Sequence, residues 1–335
     1  MYPLSLSYII PFYKGEETII KALDSIYSID IPESDFEVII VDDMSPHPAI
    51  NILKSYCEQH SNLRIIRHKQ NKRQGGAKNT GIHFAKGEYV AFADQDDYII
   101  PHCILKALQF SVINHLDMLS CRYSVCYEDS SVKEFGINSP NNMVVSGKEF
   151  CEKHFNTGVS LAPWAYLYRR EFLLNVAHPF EEHVVMEDSD WIAWHLIHAE
   201  KIGYYKHSIY TWVMNPNSIT HSNHYINRAD WIKFGYRKIR DAKLYASYSS
   251  TFSHIMAQDG YENIKGGFMK LWKVDDYAKF YNHIGVNVMQ ELQKIEWKQP
   301  VKFMIHYPMA TCRILFVLGS ILKGINNVRH KIIKL

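Results

Sequence analysis

Long apolar runs are missing. Nothing in the 335 residues reaches the roughly twenty uninterrupted apolar positions of a membrane-spanning helix. The opening MYPLSLSYIIPFY holds an apolar run too short for a secretory signal and has no basic segment before it. Paired cysteines are missing as well. The six stand at Cys57, Cys103, Cys121, Cys126, Cys151 and Cys312 with no CxxC spacing, so no zinc or disulfide framework is expected and the thiols read as reduced and cytosolic. Charge of one sign is scarce: a net charge of +2 argues against nucleic-acid binding by overall charge. No GxxxxGK[ST] phosphate loop, internal repeat or low-complexity segment occurs. Apolar residues (47%) and aromatics (13%) are plentiful, which is enough for a true core in one large or two modest domains.

The first hundred residues alternate strand and helix. LSLSYIIPF reads as a strand stopped by Pro11. EETIIKALDSIYS places Ile19, Ile20, Leu23, Ile26 and Tyr27 at helical spacing. FEVIIVDD reads as a strand, PAINILKSYCEQH as a helix, LRIIRH as a strand, GGAKNTGIHFAKG as a helix and EYVAFADQDD as a strand. Apolar strands without alternation, separated by helices, imply an α/β fold with a parallel sheet covered on both faces. Ligands of such sheets bind beyond the carboxyl ends of the strands. Pro11–Tyr13, Asp42–Asp43 and Asp94–Asp97 all fall at those ends.

Further on, ILKALQFSVINH reads as a helix and DMLSCRYSVCY as a strand, followed by the polar loop EDSSVKEFGINSPNN. HVVMEDSDWIAWHLIHAE reads as a loop entering an amphipathic helix with Trp191, Trp194, His195 and Ile197. From 228 onward the chain reads as helices rich in Tyr, Lys and Trp.

Four stretches carry candidate chemistry. In VIIVDDMSPHP, Asp42 and Asp43 serve either as turn caps or as acceptors for a base N–H or a ribose hydroxyl. In DQDD, the carboxylates of Asp94, Asp96 and Asp97 repel one another unless a divalent cation or ligand hydroxyls share the charge, and a hard cation with a diphosphate is the favoured reading. NKRQGGAKNTG is a Gly- and cation-rich lead into a helix, suited to an anion or to a plain surface loop. Glu187 and Asp188 either decorate a helix N-terminus or supply a general base.

Taken in order, IIPFYKGEETIIKALDSI, FEVIIVDDMS, NKRQGGAKNTGIHFAKGEYVAFADQDD, APWAYLYRREFL, MEDSDW and YTWVMNPNSITHS resemble an inverting family 2 glycosyltransferase with a GT-A fold, over about residues 5–222. The resemblance implies a Rossmann-like, mixed and mostly parallel sheet with flanking helices. It implies that Pro11, Tyr13 and Glu17 line a nucleotide pocket, and that Asp42 and Asp43 meet the base, usually uracil. Lys78, where the family often has Arg, faces the diphosphate with Arg73, and Asn79 follows it on the donor side. Asp94 and Asp96 form the DxD pair, Asp94 near the ribose and Asp96 on Mn2+ or Mg2+. Asp97 reaches the donor sugar, Trp164 and Glu187 lie toward the acceptor, and Asp188 is the catalytic base. Asn217, Ser218 and Thr220 belong to a loop over the diphosphate.

Gly15 for Asn, Arg73 for Gly and Lys78 for Arg are departures from the pattern. The last replaces a two-pronged guanidinium by a point charge. No QxxRW motif of processive synthases is present. The implied activity is transfer of a hexosyl or N-acetylhexosaminyl group from a nucleotide sugar, a UDP-sugar foremost, to a glycan or lipid-linked glycan in cell-surface polysaccharide synthesis. The competing readings are a non-catalytic nucleotide-sugar or glycan-binding protein and a sugar nucleotidyltransferase. The latter wants a Gly-rich, Arg-containing signature after the first strand, which PFYKGEET does not supply.

The expected organisation is a catalytic domain over 1–225, with a nucleotide half at 1–100 and an acceptor and base half at 101–225. A helical extension over 226–300 and a basic tail over 301–335 follow. In that tail, Ile314–Leu322 is apolar and is flanked by Arg313, Lys323, Arg329, Lys331 and Lys334. Nine residues cannot span a bilayer, so the tail either lies on an anionic membrane surface, at the inner face of the cytoplasmic membrane, or packs on the protein. Oligomeric state is left open by the sequence.

Overall fold

The computed structural model describes residues 5–139, 143–155, 157–215, 224–271, 274–315 and 317–318. The chain divides into two compact units, Met1–Pro216 with Tyr245–Phe252, and Asn217–Leu244 with Ser253–Leu335.

The first unit is built on one sheet. Its strands are β1 (Leu6–Phe12), β2 (Phe36–Asp42), β3 (Leu63–Arg67), β4 (Tyr89–Phe92), β5 (Tyr98–Ile99), β6 (Met118–Cys126), β7 (Val132–Phe135), β8 (Val144–Val145), β9 (Tyr166–Arg169) and β10 (Ile202–Val213). Its helices are α1 (Ile19–Tyr27), α2 (Ala49–Ile52), α3 (Lys54–Gln59), α4 (Arg73–Phe84), α5 (Pro101–Ile113), α6 (Gly147–His154), α7 (Arg170–Val176) and α8 (Asp188–His198). The strand order is β3-β2-β1-β4-β9-β6-β10-β5, with β7 on β6 and β8 on β10. β1, β2, β3 and β4 pair in parallel, as do β6 and β10, while β9 runs antiparallel between β4 and β6. The sheet is thus mixed and mostly parallel, as the sequence implied.

β1, β2 and β4 are buried at every residue, which accounts for their unbroken apolar runs. The topology brings the carboxyl ends of β1, β2, β4, β6 and β10 to one edge of the sheet. Because β9 is reversed, its beginning, just after Trp164, lies at that same edge.

Two local expectations are corrected. Pro11 does not stop β1: it pairs in register with Val41. The ladder to β4 ends at Ile9 and Phe92, so no partner on that side needs the N–H that proline lacks. PAINILKSYCEQH forms two short helices, because Leu53 leaves helical geometry between them.

In the second unit, helices α9 (Tyr225–Tyr245) and α10 (Ser250–Met269) meet at Gly235 and Gly260. A Cβ on either glycine would meet the other's carbonyl oxygen, so close helix contact requires both to be glycine. α11 (Tyr277–Ile284), α12 (Val286–Gln293) and α13 (Val301–His306) follow. They share a core of Phe268, Phe280, Leu292, Trp297 and Ile305. No described helix is long and apolar enough to cross a membrane.

Candidate active site

At the end of β2 two adjacent aspartates have different tasks. Asp42 is fully buried, and its carboxylate accepts from the backbone N–H of Ser45 (2.8 Å), that of Ala49 (3.0 Å) and Arg67 Nη1 (2.7 Å). Both oxygens are engaged within the protein, as the turn-capping reading requires. Asp43 Oδ1 accepts from the Lys72 N–H (2.8 Å) and lies 2.7 Å from His68 Nδ1, whose Nε2 lies 2.9 Å from Thr80 Oγ1. Asp43 therefore moors the 68–73 segment that leads into α4.

The end of β4 is tied to β1 by Gln95. Its Oε1 accepts from the Tyr13 N–H (2.8 Å), and its Nε2 donates to the Tyr13 carbonyl (2.9 Å). Pro11 lies within β1, while the Tyr13 side chain and Glu17 are exposed beyond it.

The three aspartates also divide. Asp97 is buried: Oδ1 accepts from the Val213 N–H (2.7 Å) and Oδ2 from the Tyr210 hydroxyl (2.8 Å). Burial first, then the charges of Asp94 and Asp96, push its carboxyl up to about 9. With both oxygens bonded to β10, Asp97 fastens the acidic loop to that strand. Tyr210 also accepts from the Asp94 N–H (2.9 Å), and the Trp164 ring stacks on Tyr210 at 4.5 Å with an interplanar angle of 9°. Two register shifts in β10, between Tyr205 and Tyr210, precede this tyrosine.

Asp94 and Asp96 are left to face outward. Asp96 is exposed and Asp94 half-buried, and neither carboxylate bonds another described side chain or backbone N–H. Burial pushes Asp94 up to about 6, opposed by Lys78 and reinforced by Asp96 and Glu187.

The third component comes from α4 and α8. Lys78 is 2% exposed and donates to Glu187 Oε1 (2.9 Å) and Asp188 Oδ1 (2.5 Å). Burial by itself would depress the lysine, but Asp188, Glu187 and Asp94 outweigh it and hold it protonated. Its ammonium is the counter-ion of the acidic pair. Asp188 opens α8 and is 30% exposed, so an incoming hydroxyl can reach it. Burial and the Glu187 charge raise its carboxyl, and Lys78 opposes them.

Asn79 faces away from the donor side as well. Its amide donates to the Phe180 carbonyl (2.9 Å) and accepts from the Phe180 N–H (2.8 Å), because the segment before α8 must be pinned to α4. The Lys72 carbonyl accepts from the His183 N–H (3.0 Å), and Lys72 Nζ pairs with Glu182 (3.2 Å). A Cβ on Gly75 would collide with the Glu181 carbonyl oxygen, so this approach needs glycine.

Lys14, Met44, Arg73, His183 and Met186 all have positive φ without being glycine; the first two follow β1 and β2, Arg73 opens α4, and the last two lie in the segment before α8. Such strain persists only where surrounding contacts enforce it, and it clusters at functional sites. Arg73 is half-buried at the start of α4. Asn217, Ser218 and Thr220 lie outside the described residues.

No local signal marks Gln95, His68, Tyr210 or Gly75 as site residues. Each acts through a partner remote in sequence; Tyr210 and Asp97 are 113 positions apart.

The donor set suits a hard divalent cation. Asp94 and Asp96 offer oxygen ligands without internal partners, next to a lysine already neutralised by other carboxylates. No group of three or more His, Cys, Asp or Glu among the described residues could hold a metal alone, so ligand and water oxygens must complete its shell.

Residues 7–173 match the family model "Glycosyl transferase family 2". The "Uncharacterized glycosyltransferase EpsJ" of Bacillus subtilis is 31% identical over 226 residues, 66% of this chain and 64% of that protein. The "Poly(ribitol-phosphate) beta-glucosyltransferase" of Bacillus spizizenii is 37% identical over 116 residues, 34% of this chain and 18% of that protein. The chain therefore spans less than two thirds of the length of either relative. Among solved structures, Staphylococcus aureus TarS 1–349 in complex with UDP-GlcNAc superposes with a TM-score of 0.67 at 20% identity, covering 91% of this chain and 87% of that one. At that identity the likeness shows the fold.

Proposed function

The chain belongs to glycosyl transferase family 2, and on that premise we propose that it moves a hexosyl or N-acetylhexosaminyl group from a UDP-sugar to a hydroxyl of a glycan or lipid-linked glycan, inverting the anomeric configuration. The observation that carries this reading is the Lys78-held Asp188 in the same cluster of charges as the free Asp94 and Asp96 carboxylates. UDP-GlcNAc in the TarS complex supports a uridine nucleotide as donor, and the polyol-phosphate polymer named for the Bacillus spizizenii relative supports a cell-surface glycan as acceptor. Nucleotide sugars are cytoplasmic, which assigns the reaction to that compartment and, for a lipid-linked acceptor, to the inner membrane face.

Asp94 and Asp96 would hold Mn2+ or Mg2+ with the donor. When bound, that ion supplies positive charge against the diphosphate leaving group. Gln95 and the Asp97–Tyr210 contact fix the acidic loop, so its carboxylates need no reorganisation on binding. Asp188 takes the proton of the acceptor hydroxyl as that oxygen bonds to the anomeric carbon and the nucleoside diphosphate departs from the opposite face. A raised carboxyl suits this role, since a base titrating nearer neutral pH accepts a proton more readily. Retention of the free acidic pair and the held base speaks for catalysis over mere binding.

A thermal-shift screen of UDP- and GDP-sugars with Mn2+ tests the proposal, because a ligand of the native state alone stabilises it by about 2.7 kcal/mol at a hundredfold excess over Kd. A UDP-sugar should raise Tm only with the metal present. No response to any nucleotide sugar would contradict it.

A further inference from the structure

The last described helical residues present an apolar face outward. Residues 308–315 and 317–318 are helical, with Thr311 buried and Leu315 packed on the second unit's core. On the other side Met309 is 66% exposed, Ile314 48%, Val317 55% and Leu318 48%, with Tyr307 at 59% just before them. Positions 309, 313 and 317, like 314 and 318, repeat every four residues and so share one face. A helix on a soluble domain ordinarily turns its polar stripe to water. Here the stripe is apolar, with Arg313 exposed within it.

Charge decides among possible coverings. Residues 297–335 contain seven Lys and Arg and no Asp or Glu, although the chain as a whole carries only +2. A second copy meeting this face about a two-fold axis would set Arg313 and its cationic surroundings against themselves. Residues 319–335 are cationic too, so folding them over Arg313 would add like charge. An anionic bilayer satisfies both features: its interface takes the apolar side chains and its headgroups take the cations.

We propose that the Met309–Ile314–Val317–Leu318 face docks on an anionic lipid surface as a peripheral contact. This does not depend on the glycosyltransferase reaction. It identifies how a chain with no described spanning helix would reach a lipid-linked acceptor.

The test is co-sedimentation of the full chain with vesicles of phosphatidylcholine alone or mixed with phosphatidylglycerol, comparing wild type with Ile314→Ser/Val317→Ser. These positions are exposed and the replacements neutral, so circular dichroism should not change. Wild type should partition onto the mixed vesicles only, weakly at high salt, and the double variant at least about tenfold less. Wild type left in the supernatant with both vesicles, or equal partitioning of the variant, would overturn the proposal. So would a dimer in light scattering that the substitutions dissolve without any vesicle binding, which would assign the face to a second copy.

Discussion

Lys78 Nζ lies 2.5 Å from Asp188 Oδ1, joining the middle of α4 to the first residue of α8 across 110 positions of sequence. Its charge lowers the Asp188 carboxyl, against burial and the Glu187 charge, which raise it. Lys78 is thus a positioning residue that sets the protonation of the proposed base. Substituting Lys78→Met should move the acidic limb of the kcat/KM–pH profile to higher pH by about 1–3 pH units, the effect of losing an adjacent opposite charge. Lys78→Arg should leave that limb nearly in place. An unmoved limb in Lys78→Met would refute the role.

The same variant should show a pH-dependent stability deficit. Without Lys78, the folded-state value of Asp188 rises further above that of the unfolded chain. An acid raised on folding is tolerated below its unfolded value and destabilises as pH climbs toward its folded value. The Tm difference between wild type and Lys78→Met should therefore be larger near pH 8 than near pH 5. Thermal melts at the two pH values measure it, and a constant difference would count against the coupling.

Asp97 yields a different pH signature. Its carboxyl is pushed up to about 9 by burial, so wild type should lose stability from this group as pH rises from the unfolded value of about 4 to about 9. Asp97→Asn removes the ionisation and should flatten that slope in denaturant melts. Asp97→Ala, which strands the Val213 N–H and the Tyr210 hydroxyl, should cost about 1–3 kcal/mol at acidic pH, with the deficit shrinking as pH rises and wild type loses its own contribution.

Gly75→Ala should disturb the base without touching it. The new Cβ meets a backbone oxygen of Glu181, which cannot rotate aside, so the segment before α8 must shift. A loss of about 1–3 kcal/mol is expected, with kcat falling more than donor affinity. Unchanged kcat with wild-type Tm would contradict the close packing described.

Asp96→Asn should weaken Mn2+-dependent donor binding in calorimetric titration while leaving the stability within about 0.5 kcal/mol of wild type, as befits an exposed side chain. Donor binding that titrates with Mn2+ as in wild type would remove the metal role from this residue.

Much of this molecule is legible in its sequence because strands buried on both faces, and their acidic ends, are local signals. VIIVDD and YVAFADQDD each announce a strand and the edge where it stops. The allocation of side chains at that edge is not local. Asp42 and Asp96 look alike in sequence, yet one saturates its oxygens with Ser45, Ala49 and Arg67 while the other stays open. Lys78, Asn79 and Asp97 read as ligand contacts because they sit in motif positions. Their partners, Asp188, Phe180 and Tyr210, arrive only when the chain folds back from more than a hundred residues away.

The proposed reaction turns on Asp188 as the base of a nucleotide-sugar-dependent transfer. Its most direct test is nucleoside diphosphate release by wild type and Asp188→Asn, with Mn2+, the donor found by thermal shift and a polyol-phosphate or glycan acceptor, alongside donor affinity by calorimetry. Asp188→Asn should keep the wild-type donor affinity and slow release at least about a hundredfold, the lower end for a lost general base. Release by Asp188→Asn at the wild-type rate would contradict it.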